Sequence, residues 1–231
     1  MTLPEEEGRA WYRLTAAEQA ALREAGYTQE WRPGEVIIRQ GAPPGGMCVI
    51  LSGWVKISVT NERGDNAPIA ARGPGEIIGE LGAISGRPRN STIHAIGTVH
   101  ALVIPQERLR TVLARQPRIA QELLSVAAIR LTQSDLLRLE AGGPAFPQRL
   151  AATLLELAHQ CAPHTLNPIP DTTPIDLPFT QDELAAFARV SRSTLVRGLD
   201  ELRSLGILET ARRRVRIVSL ARLRDLATGR T

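Results

Sequence analysis

The residues with the most chemistry in this chain lie between Ile77 and Thr92. Gly79-Glu80-Leu81 is followed, nine residues after the glutamate, by Arg89 and then Asn90. A glycine at 79 lets backbone N–H groups come close to a ligand. The Glu80 carboxylate can accept hydrogen bonds from a ribose hydroxyl. The Arg89 guanidinium can grip a phosphate through two parallel bonds. The same two residues are also suited to a buried structural salt bridge, and their types and spacing leave both readings open.

A second constellation runs from Phe179 to Arg203. Thr180 and Glu183 have the spacing of a capping box and should start one short helix. Ser191 should cap a second, whose buried face is Leu195, Leu199 and Leu202. Arg192, Ser193 and Arg197 then fall near its N-terminus on the opposite face, where a recognition helix meets base edges. Arginine matches O6 and N7 of guanine. Ser191 and Thr194 suit phosphate oxygens. Arg212, Arg213 and Arg214 precede a terminal strand and suit a basic wing on the DNA backbone. Two short helices, their caps and an arginine-lined face together predict a helix-turn-helix for double-stranded DNA.

Charge follows the same division. Thr180 to Thr231 holds 11 arginines against 6 acids, whereas the rest of the chain holds 17 basic and 18 acidic groups. A basic excess confined to one end suits a polyanionic partner.

These groups need elements to hold them. Thr15 with Glu18 predicts a capped helix to about residue 25. From Trp31 to Pro105 short β-rich runs alternate with glycines, the pattern of a small barrel or sandwich. Pro117 to Leu139 reads as one helix about 34 Å long. Its stripe of Leu123, Ala127, Arg130, Ser134 and Leu137 has coiled-coil spacing and predicts a homodimer seam. Gly142-Gly143-Pro144 predicts a hinge, Leu150 to His159 a helix, and Ala162 to Pro178 an irregular Pro-rich loop. A short strand from Val215 to Val218 and a last helix from Ala221 to Ala227 close the chain.

Several classes are disfavoured. No apolar run approaches the ~18 residues of a membrane span, and the polar N-terminus is unlike a secretory signal, so a cytoplasmic location is expected. Cys48 and Cys161 are too few for a disulfide framework or an iron–sulfur cluster. His159-Gln160-Cys161-Ala162-Pro163-His164 falls short of the four ligands of structural zinc and reads as a helix end, so no metal is expected. His94 or His100 alone does not argue for haem. No Walker loop, Gly-x-Ser-x-Gly or His-Glu-x-x-His motif marks an enzyme.

Over residues 15 to 220 the chain resembles the CRP/FNR regulators. Gly79-Glu80-Leu81 with Pro88-Arg89 is similar to the phosphate-binding cassette of cyclic-nucleotide domains, and Arg192, Thr194 and Arg197 match the family's recognition helix. The resemblance implies an α+β protein: an N-terminal cyclic-nucleotide-binding β-roll (1–116), a long dimerisation helix with hinge (117–141) and a C-terminal winged helix-turn-helix (142–231). It implies cyclic AMP as effector, with Glu80 on the ribose 2′-hydroxyl, Arg89 on the cyclic phosphate, and Ser134 and Asp135 where the adenine is touched. It implies a palindromic TGTGA-like operator, RNA polymerase as a partner near the 162–178 loop, and an activator's role. Two departures stand out. Asn90 replaces the usual Ser or Thr, and Ser193 replaces the glutamate that reads cytosine. An effector other than cyclic AMP, or none, is the alternative, and a nucleotide-binding enzyme a remote one.

Overall fold

The computed structural model describes residues 9–64, 66–139, 146–162, 169–171, 173–188, 190–211 and 214–229. The chain divides into two compact units, Met1–Leu136 and Leu137–Thr231.

The first unit opens with α1 (Ala10–Arg13) and α2 (Ala16–Ala25). The Thr15–Glu18 box forms as expected. Thr15 Oγ1 accepts from the Glu18 N–H, and the Glu18 carboxylate accepts from the Thr15 N–H at 2.7 Å. Strands β1 (Tyr27–Trp31), β2 (Val36–Ile38), β3 (Met47–Thr60), β4 (Asn66–Arg72) and β5 (Ile77–Ile78) follow. After α3 (Glu80–Ser85) comes β6 (Thr92–Ile104). All pairings are antiparallel, in the order β1-β6-β3-β4, with β2 also on β6 and β5 on β3. Register shifts between Ile50 and Trp54 mark irregularities along β3, the kind of break at which a long strand bends.

Both faces of this sheet are filled, which explains the continuous apolar run Met47–Ile50. Successive side chains on a strand point to opposite sides. Cys48 and Ile50 join Trp31, Val55, Ile78, Ile93 and Val99 in one cluster. Met47 and Val49 join a second cluster with residues of α1, α2, α4 (Gln106–Arg115) and α5 (Pro117–Leu139). Pro117 is the first residue of α5, where a missing N–H costs nothing.

The second unit contains α6 (Phe146–Cys161), β7 (Ile175–Leu177), α7 (Gln181–Phe187), α8 (Arg192–Ser204), β8 (Leu208–Ala211), β9 (Arg214–Ile217) and α9 (Leu220–Thr228). Its three strands form an antiparallel sheet in the order β7-β9-β8. Phe179, Leu184, Leu195, Leu199 and Leu202 are buried. Phe179 and Phe187 meet edge to face at 5.4 Å.

The structure corrects two expectations here. The 162–178 segment is not irregular throughout, because Ile175–Leu177 pairs with β9. Ile175 and Leu177 flank Asp176 and are buried while it is exposed, which supplies the alternation of a strand, and the partner strand lies some 40 residues away. The terminal strand also has a preceding partner, β8, so a hairpin stands where one strand was expected.

Candidate functional site

Gly79 caps α3 with φ 77°, a left-handed conformation that favours glycine. That turn takes the chain directly from β5 into Glu80. Glu80 and Arg89 do not pair with each other, so the structural salt bridge between them is not the arrangement adopted. Glu80 is 3% exposed, and its Oε1 takes a 2.6 Å bond from Arg130 Nη1. Arg130 Nη2 donates to the Ile77 carbonyl at 2.7 Å. Glu80 Oε2 makes no hydrogen bond among the described residues.

Arg89 is held differently. Its Nη1 donates to the Gly79 carbonyl and its Nη2 to the Gly46 carbonyl, both at 2.5 Å. Cβ atoms added at Gly45, Gly79 or Gly82 would lie 2.9–3.0 Å from its terminal nitrogens. These glycines let the guanidinium lie close to the backbone, and a side chain at any of them would displace its tip. Burial pulls Arg89 below its usual value, offset in part by Cys48 and Glu80. A partly buried cation satisfied only by neutral carbonyls favours an anion. Burial likewise pushes the neighbouring Cys48 thiol up to about 12. The glycine-lined cradle, the cation in it and the carboxylate oxygen left over fit a phosphate joined to a hydroxylated ring.

Other cassette residues stand at its rim. Leu81 is exposed, and Asn90 is exposed with its Oδ1 accepting from Ser91 Oγ at 3.3 Å. Ser134 lies on α5, but its side chain, like those of Asp135 and Leu137, is outside the described residues.

Two members of the seam expected on α5 are taken up within the unit itself. Leu123 is 1% exposed and packs with Ile119 and Val126 in its own unit's core, and Arg130 is committed to Glu80. The apolar face left to solvent is one position on, at Leu124 (70%) and Leu131 (62%). Periodicity gives the same score to both stripes, and only the folded sheet decides which one it covers.

In the second unit the helix-turn-helix forms as expected. Thr180 and Glu183 make their box, with Thr180 N–H donating to Glu183 Oε2 at 2.8 Å and Thr180 Oγ1 donating to it at 2.9 Å. Ser191 Oγ accepts from the Thr194 N–H at 3.1 Å and lies 2.9 Å from Ser193 Oγ and 2.8 Å from Thr194 Oγ1. The buried leucines of α8 turn Arg192, Ser193 and Arg197 outward. Gly198 lets α8 approach α6, since a Cβ there would meet Leu150 at 2.5 Å.

Two features were not legible. Asp182 Oδ1 lies 3.6 Å from Arg192 Nε. Arg214 is committed as well: Asp176 binds both Arg214 and Arg216, taking 2.9 and 2.8 Å bonds from their Nε atoms. Those two arginines hold the Asp176 carboxyl far below the usual carboxylate range. Sequence spacing does not pair residues 38 and 40 apart. Arg212, Arg213, the Gly142-Gly143 hinge and His164 lie outside the described residues.

Among the described residues no group of three or more His, Cys, Asp or Glu could hold a metal ion, and no helix is long and apolar enough to cross a membrane.

Known proteins divide the chain in the same way. The cyclic nucleotide-binding domain family matches residues 28–116 and the Crp-like helix-turn-helix domain family residues 148–226. The chain is 28% identical over 204 residues to a CRP-like cAMP-activated global transcriptional regulator of Mycobacterium tuberculosis, spanning 88% of this chain and 89% of that one. It is also 28% identical over 199 residues to the cyclic AMP receptor protein of Thermus thermophilus, spanning 85% and 86%. Among solved structures, a transcriptional regulator of the CRP/FNR family from Thermus thermophilus aligns with a TM-score of 0.69 at 23% identity, covering 89% of this chain and all of that one.

Proposed function

The chain belongs to the CRP/FNR family of transcription regulators, and we propose that cyclic AMP gates it and that it acts as a homodimer on a palindromic, TGTGA-like operator. The observation that carries the gating is Arg130. This α5 residue grips Glu80, so the cassette and the long helix share one ion pair.

In this reading Arg89 takes the cyclic phosphate in place of its carbonyl bonds, with Asn90 and the backbone at Gly79 and Leu81 as further donors. Glu80 Oε2 accepts from the ribose 2′-hydroxyl while Oε1 stays with Arg130. Ser134 contributes a hydroxyl from α5. A ligand that prefers one setting of α5 shifts its population by its differential affinity. The Leu124–Leu131 face is the seam between two copies. The effector part is 1–116, the dimerisation helix and hinge 117–141, and the DNA-binding part 142–231. Arg192 and Arg197 read guanines. Thr180, Ser191 and Thr194 meet phosphates, and Arg212, Arg213 and Arg214 form the wing. Arg214 reaches DNA only by sharing itself with Asp176. Ser193 has a short hydroxyl that both donates and accepts where a carboxylate only accepts, so specificity there is relaxed. The protein works in the cytoplasm, with RNA polymerase as a partner and activation as the outcome. No nucleotide turnover is expected.

Calorimetric titration with cyclic AMP, followed by operator binding with and without it, tests the reading. Heat of binding together with a gain in operator affinity is expected; no heat at millimolar cyclic AMP, with full operator affinity in ligand-stripped protein, overturns the gating. The second reading, another effector on the same fold, is favoured by Asn90 and left room by Ser134.

A further inference from the structure

Arg192 stands at the wrong end of α8 for helix electrostatics. It is the first residue after the Ser191 cap, where free N–H groups leave a partial positive charge that disfavours cations. An arginine chain also carries much rotamer entropy, and ordering it on a base edge costs part of that. Left alone, Arg192 would be repelled by its own helix and poorly ordered.

A carboxylate from the neighbouring helix offsets both effects. Asp182, in the first turn of α7, approaches Arg192 through Nε. The edge it engages matters. The approach, 3.6 Å and so an ion pair without a hydrogen bond, is at Nε on the side edge of the guanidinium, and the end-on pair, Nη1 and Nη2, stays available. That pair matches O6 and N7 of guanine. The other carboxylate of this turn, Glu183, is taken up by the capping box. Arg197 has no such support, since it makes no ion pair with any described residue.

We propose that Asp182 is a positioning residue for base recognition: it holds Arg192 by Nε so that the end-on edge meets one guanine. This rests on the reading of α8 as the base-reading helix. Asp182 acts through Arg192 and makes no base contact of its own. Its negative charge also faces the duplex, so bare repulsion is the competing account, and the two accounts separate by sequence dependence.

The test uses the full chain on the duplex it selects from a random library at saturating cyclic AMP, and on that duplex with each guanine replaced in turn. Arg192→Ala should lower discrimination at one guanine by at least fivefold. Asp182→Ala should lower discrimination at that same guanine by about 1.5- to 5-fold, the range of an exposed ion pair. It should leave the guanine read by Arg197 unchanged and add nothing in the Arg192→Ala background. The near-isosteric Asp182→Asn, with a thermal melt, covers the case in which the alanine variant folds poorly. Equal tightening on every duplex, or full additivity with Arg192→Ala, overturns the proposal in favour of repulsion. If Arg192→Ala leaves all discrimination intact, or no sequence is enriched, the reading of α8 fails first and the role of Asp182 with it.

Discussion

Arg89 sits among glycines with both terminal nitrogens bonded to carbonyls at 2.5 Å, whereas Arg197 projects from α8 without an ion pair to any described residue. Both are read as grips for a nucleotide-type ligand, yet the chain holds them in opposite ways. The cassette localises its cation among glycines before any ligand arrives, so a phosphate finds the guanidinium in place and must exchange for its two carbonyl partners. The recognition helix fixes only its own backbone, through the Ser191 cap and three buried leucines, and leaves the arginine tips to adjust to the groove. Arg192 stands between these cases, loosely held by one carboxylate.

Four experiments probe that contrast. Arg89→Ala should have the largest effect, weakening cyclic AMP by about 2–5 kcal/mol, the usual loss for a buried charged contact. Calorimetry reads it, and a loss below threefold would move the phosphate elsewhere. Arg197→Ala should weaken the selected operator by roughly 1–3 kcal/mol and relax one base pair. Competition with random duplex checks this, and equal losses on both would remove Arg197 from base reading. Gly79→Ala should destabilise the protein by roughly 1–2 kcal/mol, because its left-handed φ suits glycine alone, and should weaken cyclic AMP as the new Cβ crowds Arg89. A thermal melt with and without ligand separates the two contributions.

The smallest effect concerns the sheet that carries the cassette. Burial first, then Lys56 and Arg39, lower the His94 pKa from its ordinary 6.5. The folded protein therefore binds the His94 proton less readily than the unfolded chain does. Stability should fall as pH drops through about 6.5 toward the lowered folded value, and should be flat in this respect above it. Urea unfolding at pH 7.5 and 5.5 should show a smaller pH difference in His94→Gln. An unchanged difference would assign the slope to other groups.

What could be read from the sequence was what is local. The Thr15–Glu18, Thr180–Glu183 and Ser191 caps each lie within one turn, and all three form. The limits of α5 were legible because Pro117 starts it and no glycine or proline interrupts the chain before Gly142. Glu80 and Arg89 were legible as chemistry but not as geometry. Their partners come from Arg130, 50 residues from Glu80, and from the Gly46 carbonyl, 43 from Arg89. Arg130 instead looked like an interruption in a helix stripe, and its neighbours looked like a seam. Gly45 and Gly46 fall among the glycines that separate the β-rich runs, although adjacent glycines ahead of a buried strand also signal close approach. The β7 strand was hidden by surrounding prolines, since three residues of alternation gain meaning only beside β9.

The glycines around Arg89 also set where genetic damage should concentrate. Any missense change in the codons for Gly45, Gly79 or Gly82 adds at least a Cβ, and each would press against the same guanidinium. Exposed α8 positions such as Ser193 have room for other side chains, and in the proposed reading a new side chain there means a new preference. In a population of drifting sequences, the effector end would therefore fail by loss, while the DNA end would diversify by retargeting.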